Sequence, residues 1–153
     1  MAGFKGALSA VGEVVSENLN ILPQNYNEVI NGTWTLSRNG LYLPNVAFVN
    51  QTSPAVGNEF NVFINVIGGT YTIRVSMYND TNTCQWVMLI DGVPFGPVQD
   101  NYIASAVSTT LYTYNFVGLT KGAHKIGFRV TGKNGSSSNF FMQFTGLNLQ
   151  KTS

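Results

Sequence analysis

The sequence predicts an all-β chain, a sandwich or barrel of about eight short antiparallel strands behind a short N-terminal helical arm. Three observations carry this. Beyond residue 32 apolar and polar side chains alternate with a period of two. Glycine-containing turn signals separate the alternating runs, and no run of helical period falls between them. The division that follows is an arm over residues 1–31 and a sandwich domain over residues 32–153.

The arm comes first. Phe4, Leu8, Val11, Val15 and Leu19 recur at steps of three and four, which aligns them along one stripe of a helix. Gly6 and Gly12 weaken that helix by up to about 1 kcal/mol each relative to alanine, so it needs a surface to pack on. Its own domain and a neighbouring subunit suit it equally. The turn-rich NILPQNYNEVING with Pro23 reads as a tether. Glu13 interrupts the apolar stretch and no small-residue cleavage site follows, which argues against a secretory signal.

The strands are then TWTLS at 33–37, LYLPNVAFV at 41–49, EFNVFINV at 59–66, YTIRVSMY at 71–78, CQWVMLI at 84–90, LYTYNFV at 111–117, HKIGFRV at 124–130 and FFMQFTGLNL at 140–149. In YTIRVSMY the residues Tyr71, Ile73, Val75 and Met77 share the inward face, and Ile126, Phe128 and Val130 do the same in HKIGFRV. CQWVMLI is apolar on both faces, as expected of a strand covered on two sides in the middle of a sheet. Tyr112, Tyr114 and Phe116 share a face that suits the core better than a subunit contact. Turns fall at Gly68-Gly69, Asp91-Gly92, Lys121-Gly122 and Asn134-Gly135. The segment GKNGSSS lacks the G-K-[ST] ending and following helix of a phosphate loop. It reads as a hairpin joining the last two strands, with its serines bonding to local backbone.

Composition limits the function. Charged residues make up 10% of the chain, well below the ~25% of ordinary domains, and the net charge is +1. The surface is therefore polar but mostly uncharged. Eight scattered Lys and Arg residues do not form the cluster that phosphate neutralisation needs, so nucleic acid is excluded as a partner. No apolar run approaches the length of a membrane-spanning helix. The single cysteine, Cys84, rules out an internal disulfide and reads as a buried, inert thiol.

GGTYTIRVSMY, WVMLIDGVPFG, QDNYIASA and LTKGAHKIGFRVTGKNGSSSNFFMQFTGLNL, in that order, resemble a jelly-roll domain recurrent in bacteriophage structural proteins. They are also similar to the jelly rolls of carbohydrate-binding modules. The resemblance covers about residues 58 to 150. It implies an antiparallel jelly-roll β-sandwich and a virion protein, on the capsid surface or in a tail fibre. Such proteins are commonly trimeric and contact other virion proteins. The alternative it implies is a carbohydrate-binding module, or a receptor-binding tip that recognises a surface glycan.

No catalytic centre, cofactor or metal site is expected. His124 is the only histidine, which removes any two-histidine metal site and points to a structural role at a strand end. No G-x-S-x-G elbow is present. Asp80, Asp91, Asp100 and Glu59 offer carboxylates for glycoside chemistry or calcium, but Asp80 and Asp91 lie in turn contexts that explain them locally. Asp100, beside Asn101 and Tyr102 between strands, is less easily assigned to a turn: it suits backbone donors or a sugar hydroxyl, and one carboxylate is too little for calcium. Trp34 and Tyr102 are the candidate aromatic platforms, with Tyr112 and Tyr114 behind them and Trp86 too deep in its strand to serve. The docking residues of the arm are Phe4, Leu8, Val11, Val15 and Leu19. The N-x-[ST] triplets at Asn31, Asn50, Asn79 and Asn134 are expected by chance in so Asn-rich a chain.

Overall fold

The computed structural model describes residues 18–21, 28–38, 47–105 and 108–153. Its strands are β1 (Asn18–Ile21), β2 (Glu28–Asn31), β3 (Trp34–Arg38), β4 (Ala47–Gln51), β5 (Glu59–Val66), β6 (Gly69–Asn79), β7 (Cys84–Ile90), β8 (Val93–Asp100), β9 (Ser108–Leu119), β10 (Gly122–Lys133) and β11 (Gln143–Lys151). They form two antiparallel sheets. The first runs β3-β4-β11-β6-β9, with β1 also paired to β11, and the second runs β2-β5-β10-β7-β8. No helix occurs among the described residues.

From β5 onward nearly every connection crosses from one sheet to the other. The exception is the β7–β8 hairpin, where Asp91 and Gly92 adopt φ values of 51° and 83°. Positive φ at both central residues matches the right-handed twist of the strands it joins, as the Asp-Gly pair predicts.

Between the sheets lies one core. Phe60, Phe128 and Phe144 meet with ring centroids 5.1 to 5.5 Å apart, flanked by Trp34 and Trp86. Tyr71, Ile73, Val75 and Met77 are all buried, as are Ile126, Phe128 and Val130, so the alternation places them on the inward face. Tyr114 is buried, and Tyr112 and Phe116 pack against the core from the same face of β9. In β7 Cys84, Trp86, Met88 and Ile90 face the core while Val87 and Leu89 are buried on the other side. Both faces of that strand are covered as expected, but it sits one strand in from the edge, between β10 and β8. Burial pushes the Cys84 thiol well above its ordinary pKa, which keeps it protonated and inert.

Three expectations need correction. Residues 18–21 are a strand paired to β11, so Leu19 packs sideways against the sandwich and does not end a helix; Phe4, Leu8, Val11 and Val15 lie outside the described residues. The supposed tether contains β2, paired to β5. GKNGSSS is not a hairpin, because β10 pairs with β5 and β7 while β11 pairs with β1, β4 and β6. Neither Asn134 nor Gly135 takes a positive φ. The loop is instead held by side chains: Asn134 Oδ1 accepts from Ser136 N at 3.0 Å, and Ser137 Oγ donates to Thr83 O at 2.8 Å.

Candidate functional site

The outward face of the second sheet carries a concavity of about 490 Å³, with Asn61, Phe63, Asp91, His124 and Lys125 among its walls. Alternation builds it. Phe60, Val62, Ile64 and Val66 of β5 turn inward, which sends Asn61 and Phe63 outward. Opposite them on β10 stand Gly127 and Lys125. Gly127 is required here by space: a Cβ would lie 2.6 Å from Asn61 Oδ1 and 3.2 Å from Leu89 Cβ. Without a side chain at 127, Asn61 Oδ1 can lie close against the neighbouring strand.

The polar groups are tied together. Glu28 Oε2 accepts from Asn61 Nδ2 at 2.8 Å and from Lys125 Nζ at 3.0 Å. Those two bonds, with the Lys125 charge, hold the Glu28 carboxyl below its ordinary pKa. Lys125 Nζ also sits 5.2 Å from the centroid of the Phe63 ring, a cation–π contact, and Phe63 remains 37% exposed.

At the hairpin end, Asp91 Oδ2 lies 2.6 Å from His124 Nδ1, and Asp91 Oδ1 accepts from the Lys125 amide at 2.8 Å. The sequence reading gave Asp91 a purely local turn role; its carboxylate instead bridges to β10, 33 residues away. His124 Nε2 faces the Thr120 carbonyl at 2.9 Å. A carbonyl and a carboxylate both accept, so a proton on each ring nitrogen satisfies both neighbours, with the Thr120 hydroxyl 3.3 Å from Nε2. This arrangement favours the imidazolium over the neutral ring. Desolvation opposes this, but the Asp91 bond and the Thr120 carbonyl raise its pKa above the ordinary value. Desolvation likewise opposes ionisation of Asp91, and the His124 and Lys125 bonds outweigh it and lower its pKa.

The sequence-derived candidates lie elsewhere. Asp100 and Tyr102 sit together at the opposite end of β8, where Asp100 Oδ1 accepts from Tyr102 N at 3.0 Å. Asp100 Oδ2 accepts from Asn134 Nδ2 at 2.9 Å and Gln85 Nε2 at 3.2 Å. Despite desolvation, these donors hold its pKa down. Its carboxylate thus ties β7, β8 and the 134–142 loop together. Trp34 is a correction. It is 5% exposed, packs edge-on against Phe60 at 4.7 Å and donates Nε1 to Asn31 O at 3.0 Å, so it presents no open ring face. Phe63, Asn61 and Lys125 were not singled out by sequence; the available signal was an aromatic residue on the outward phase of an alternating strand.

No protein-family model matches the sequence, and no curated protein matches it. Solved structures do match in fold. A Paenibacillus xanthan lyase matches at TM-score 0.70 and 19% identity, over 83% of this chain and 12% of the lyase. The CBM36-1 domain of a multidomain xylanase, from the hindgut metagenome of Trinervitermes trinervoides, matches at 0.65 and 15%, over 89% and 98% of the two chains. A family 35 carbohydrate-binding module from Clostridium thermocellum matches at 0.61 and 13%, over 90% and 100%. At these identities the likeness establishes the jelly-roll sandwich. It falls on the carbohydrate-binding-module side of the sequence resemblance, and none of these three is a virion protein.

Proposed function

We propose that this chain is a non-enzymatic carbohydrate-binding sandwich whose ligand surface is the Phe63–His124 concavity. The observation that carries this is the concavity itself. It lies in the size range of ligand pockets, and it combines an exposed aromatic ring with an amide, an ammonium and a carboxylate. An apolar sugar face stacks on Phe63. Lys125 has ammonium protons left after bonding Glu28, and Asp91, half exposed, accepts from hydroxyls. Two modules that match nearly end to end are described as carbohydrate-binding, which supports the same reading.

The electrostatics favour binding over hydrolysis. Glycoside cleavage needs one carboxyl with a raised pKa to protonate the leaving oxygen. Glu28 and Asp91 are both shifted down. Asp100 at the far end is also shifted down and occupied by three donors, so it fits an anchoring role. A particle-assembly role rests on motif order alone. If the chain does belong to a phage fibre, the concavity suits its receptor-recognising tip.

A glycan array probed with the wild-type chain, Phe63→Ala and Tyr102→Ala tests the proposal. The expected result is binding that Phe63→Ala abolishes and Tyr102→Ala preserves. The opposite pattern moves the site to the 100–102 loop, and failure to bind any glycan refutes the function.

A further inference from the structure

Among the described residues the sheet edges are unequally defended, and β1, which pairs only with β11, has four residues. β3 has five residues, and β2 has four and carries Glu28. β8 contains Pro94, Pro97 and Gly96 at a φ of 81°, and its pairing with β7 slips between Trp86 and Met88. Short length, charge, proline and bulges are the standard ways of blocking edge-to-edge pairing. β9 lacks all four over most of its length. Its twelve residues, STTLYTYNFVGL, contain no charge and no proline, and its register against β6 is regular from Asn79↔Ser108 to Tyr71↔Phe116. No described strand pairs with its outer edge. Leu111 and Val117 on that strand are 60% and 78% exposed.

The sequence of β9 also mirrors itself. Around Tyr114, residues 111–117 read apolar, aromatic, polar, tyrosine, polar, aromatic, apolar. Alternation puts Leu111, Thr113, Asn115 and Val117 outward and Tyr112, Tyr114 and Phe116 toward the core.

We propose that β9 pairs antiparallel with β9 of a second copy of this chain, about a two-fold axis at Tyr114. Leu111 then lies opposite Val117, Tyr112 opposite Phe116 and Thr113 opposite Asn115, each twice by symmetry. Facing alternation forbids a one-residue slip, which would set outward side chains against inward ones. A two-residue slip sets Leu111 against Asn115 or Val117 against Thr113. Only the Tyr114-centred register pairs like with like throughout, and the absence of charge on the strand removes repulsion between copies. The partner is a second copy because the strand's chemistry is complementary to its own reverse.

Sedimentation of the full chain across a concentration series tests this, with Leu111→Lys/Val117→Lys and Leu111→Lys/Val117→Glu compared to wild type. Both variants alter only exposed side chains, and their unfolding curves check that the fold is kept. The expected result is a wild-type dimer. The double lysine variant sets like charges directly opposite at both symmetric positions and weakens association by about tenfold or more. The lysine–glutamate variant sets opposite charges there and restores the dimer. A wild-type monomer at every concentration overturns the proposal, as does a trimer, a dimer indifferent to the double lysine change, or a failure of the lysine–glutamate pair to rescue.

Discussion

Asn101→Ala is expected to destabilise the protein out of proportion to the atoms removed. Asn101 is fully buried, and its Oδ1 accepts from Trp86 Nε1 at 3.0 Å and from the Tyr112 hydroxyl at 2.7 Å. Trp86 is fully buried too, so the truncation leaves its N–H with no acceptor, at a cost of about 1–3 kcal/mol. Losing the Tyr112 bond adds about 0.5–1.5 kcal/mol, less what Tyr112 recovers from its second acceptor, Asp100 O at 3.4 Å. One effect runs the other way. Asn101 Nδ2 is buried without a hydrogen bond, and removing it returns roughly 1–2 kcal/mol. The net loss is about 1.5 kcal/mol, which at this chain length lowers Tm by roughly 3–6 °C. Tyr112→Phe leaves the Trp86 bond intact and should cost about 1 kcal/mol or less. Urea unfolding of wild type, both single variants and the double variant gives the comparison. If Asn101→Ala falls within 0.5 kcal/mol of wild type, or Tyr112→Phe costs as much as Asn101→Ala, the claim that Trp86 depends on this amide is refuted.

Two further outcomes follow from the same structure. The Asp91–His124 pair should give a stability plateau in pH: the His124 contribution is complete below its unfolded value of 6.5 and fades as pH rises through its raised folded pKa, while the Asp91 contribution is complete above 3.8 and fades as pH falls through its lowered one. Because the Asp91 side chain is 48% exposed, the drop at either side is discounted to about 1 kcal/mol or less; thermal melts across pH will show it, and Asp91→Asn should flatten the profile. Gly96→Ala should cost about 2–3 kcal/mol in chemical unfolding, since Gly96 has a φ of 81° and a Cβ there would lie 2.7 Å from the Tyr114 ring.

Two of the runs were legible to the residue. EFNVFINV is β5 as observed, because its side chains change sides along the run, and CQWVMLI, apolar on both faces, is β7 as observed because it is short and ends at the Asp91-Gly92 turn. β8 was not. In VPFGPVQD two prolines and a glycine argue against a strand, and they are tolerated because β8 is an edge strand whose outer amides need no partner. β1 was assigned to a helix since Leu19 continues the spacing of the arm, yet Leu19 and Ile21 also satisfy a period of two over four residues. The Asn134-Gly135 hairpin failed for a different reason: a turn pair is a local signal, whereas sheet membership is decided by where distant strands bury their faces. The candidate site shares that difficulty. Asp100 and Tyr102 are neighbours in sequence and were visible together, but Asp91 meets His124, and Glu28 meets Asn61 and Lys125, only through the strand registers.

Edge pairing through β9 has a geometric consequence for ligand binding. A two-fold axis relating adjacent antiparallel strands of one sheet runs perpendicular to that sheet, so both copies turn the same faces the same way. The concavity lies on the outward face of the second sheet, and the dimer therefore presents two concavities toward one side. A surface dense in glycan is then engaged at two points, and the second contact forms at an effective concentration set by the dimer, with no new chemistry in either site. The prediction is a contrast. On a densely coated surface the wild-type chain should be retained at least about tenfold more strongly than Leu111→Lys/Val117→Lys, while both bind a soluble monovalent fragment of the same glycan equally. Equal retention on the dense surface would separate the two proposals, leaving the concavity as a binding site and removing the dimer from its function.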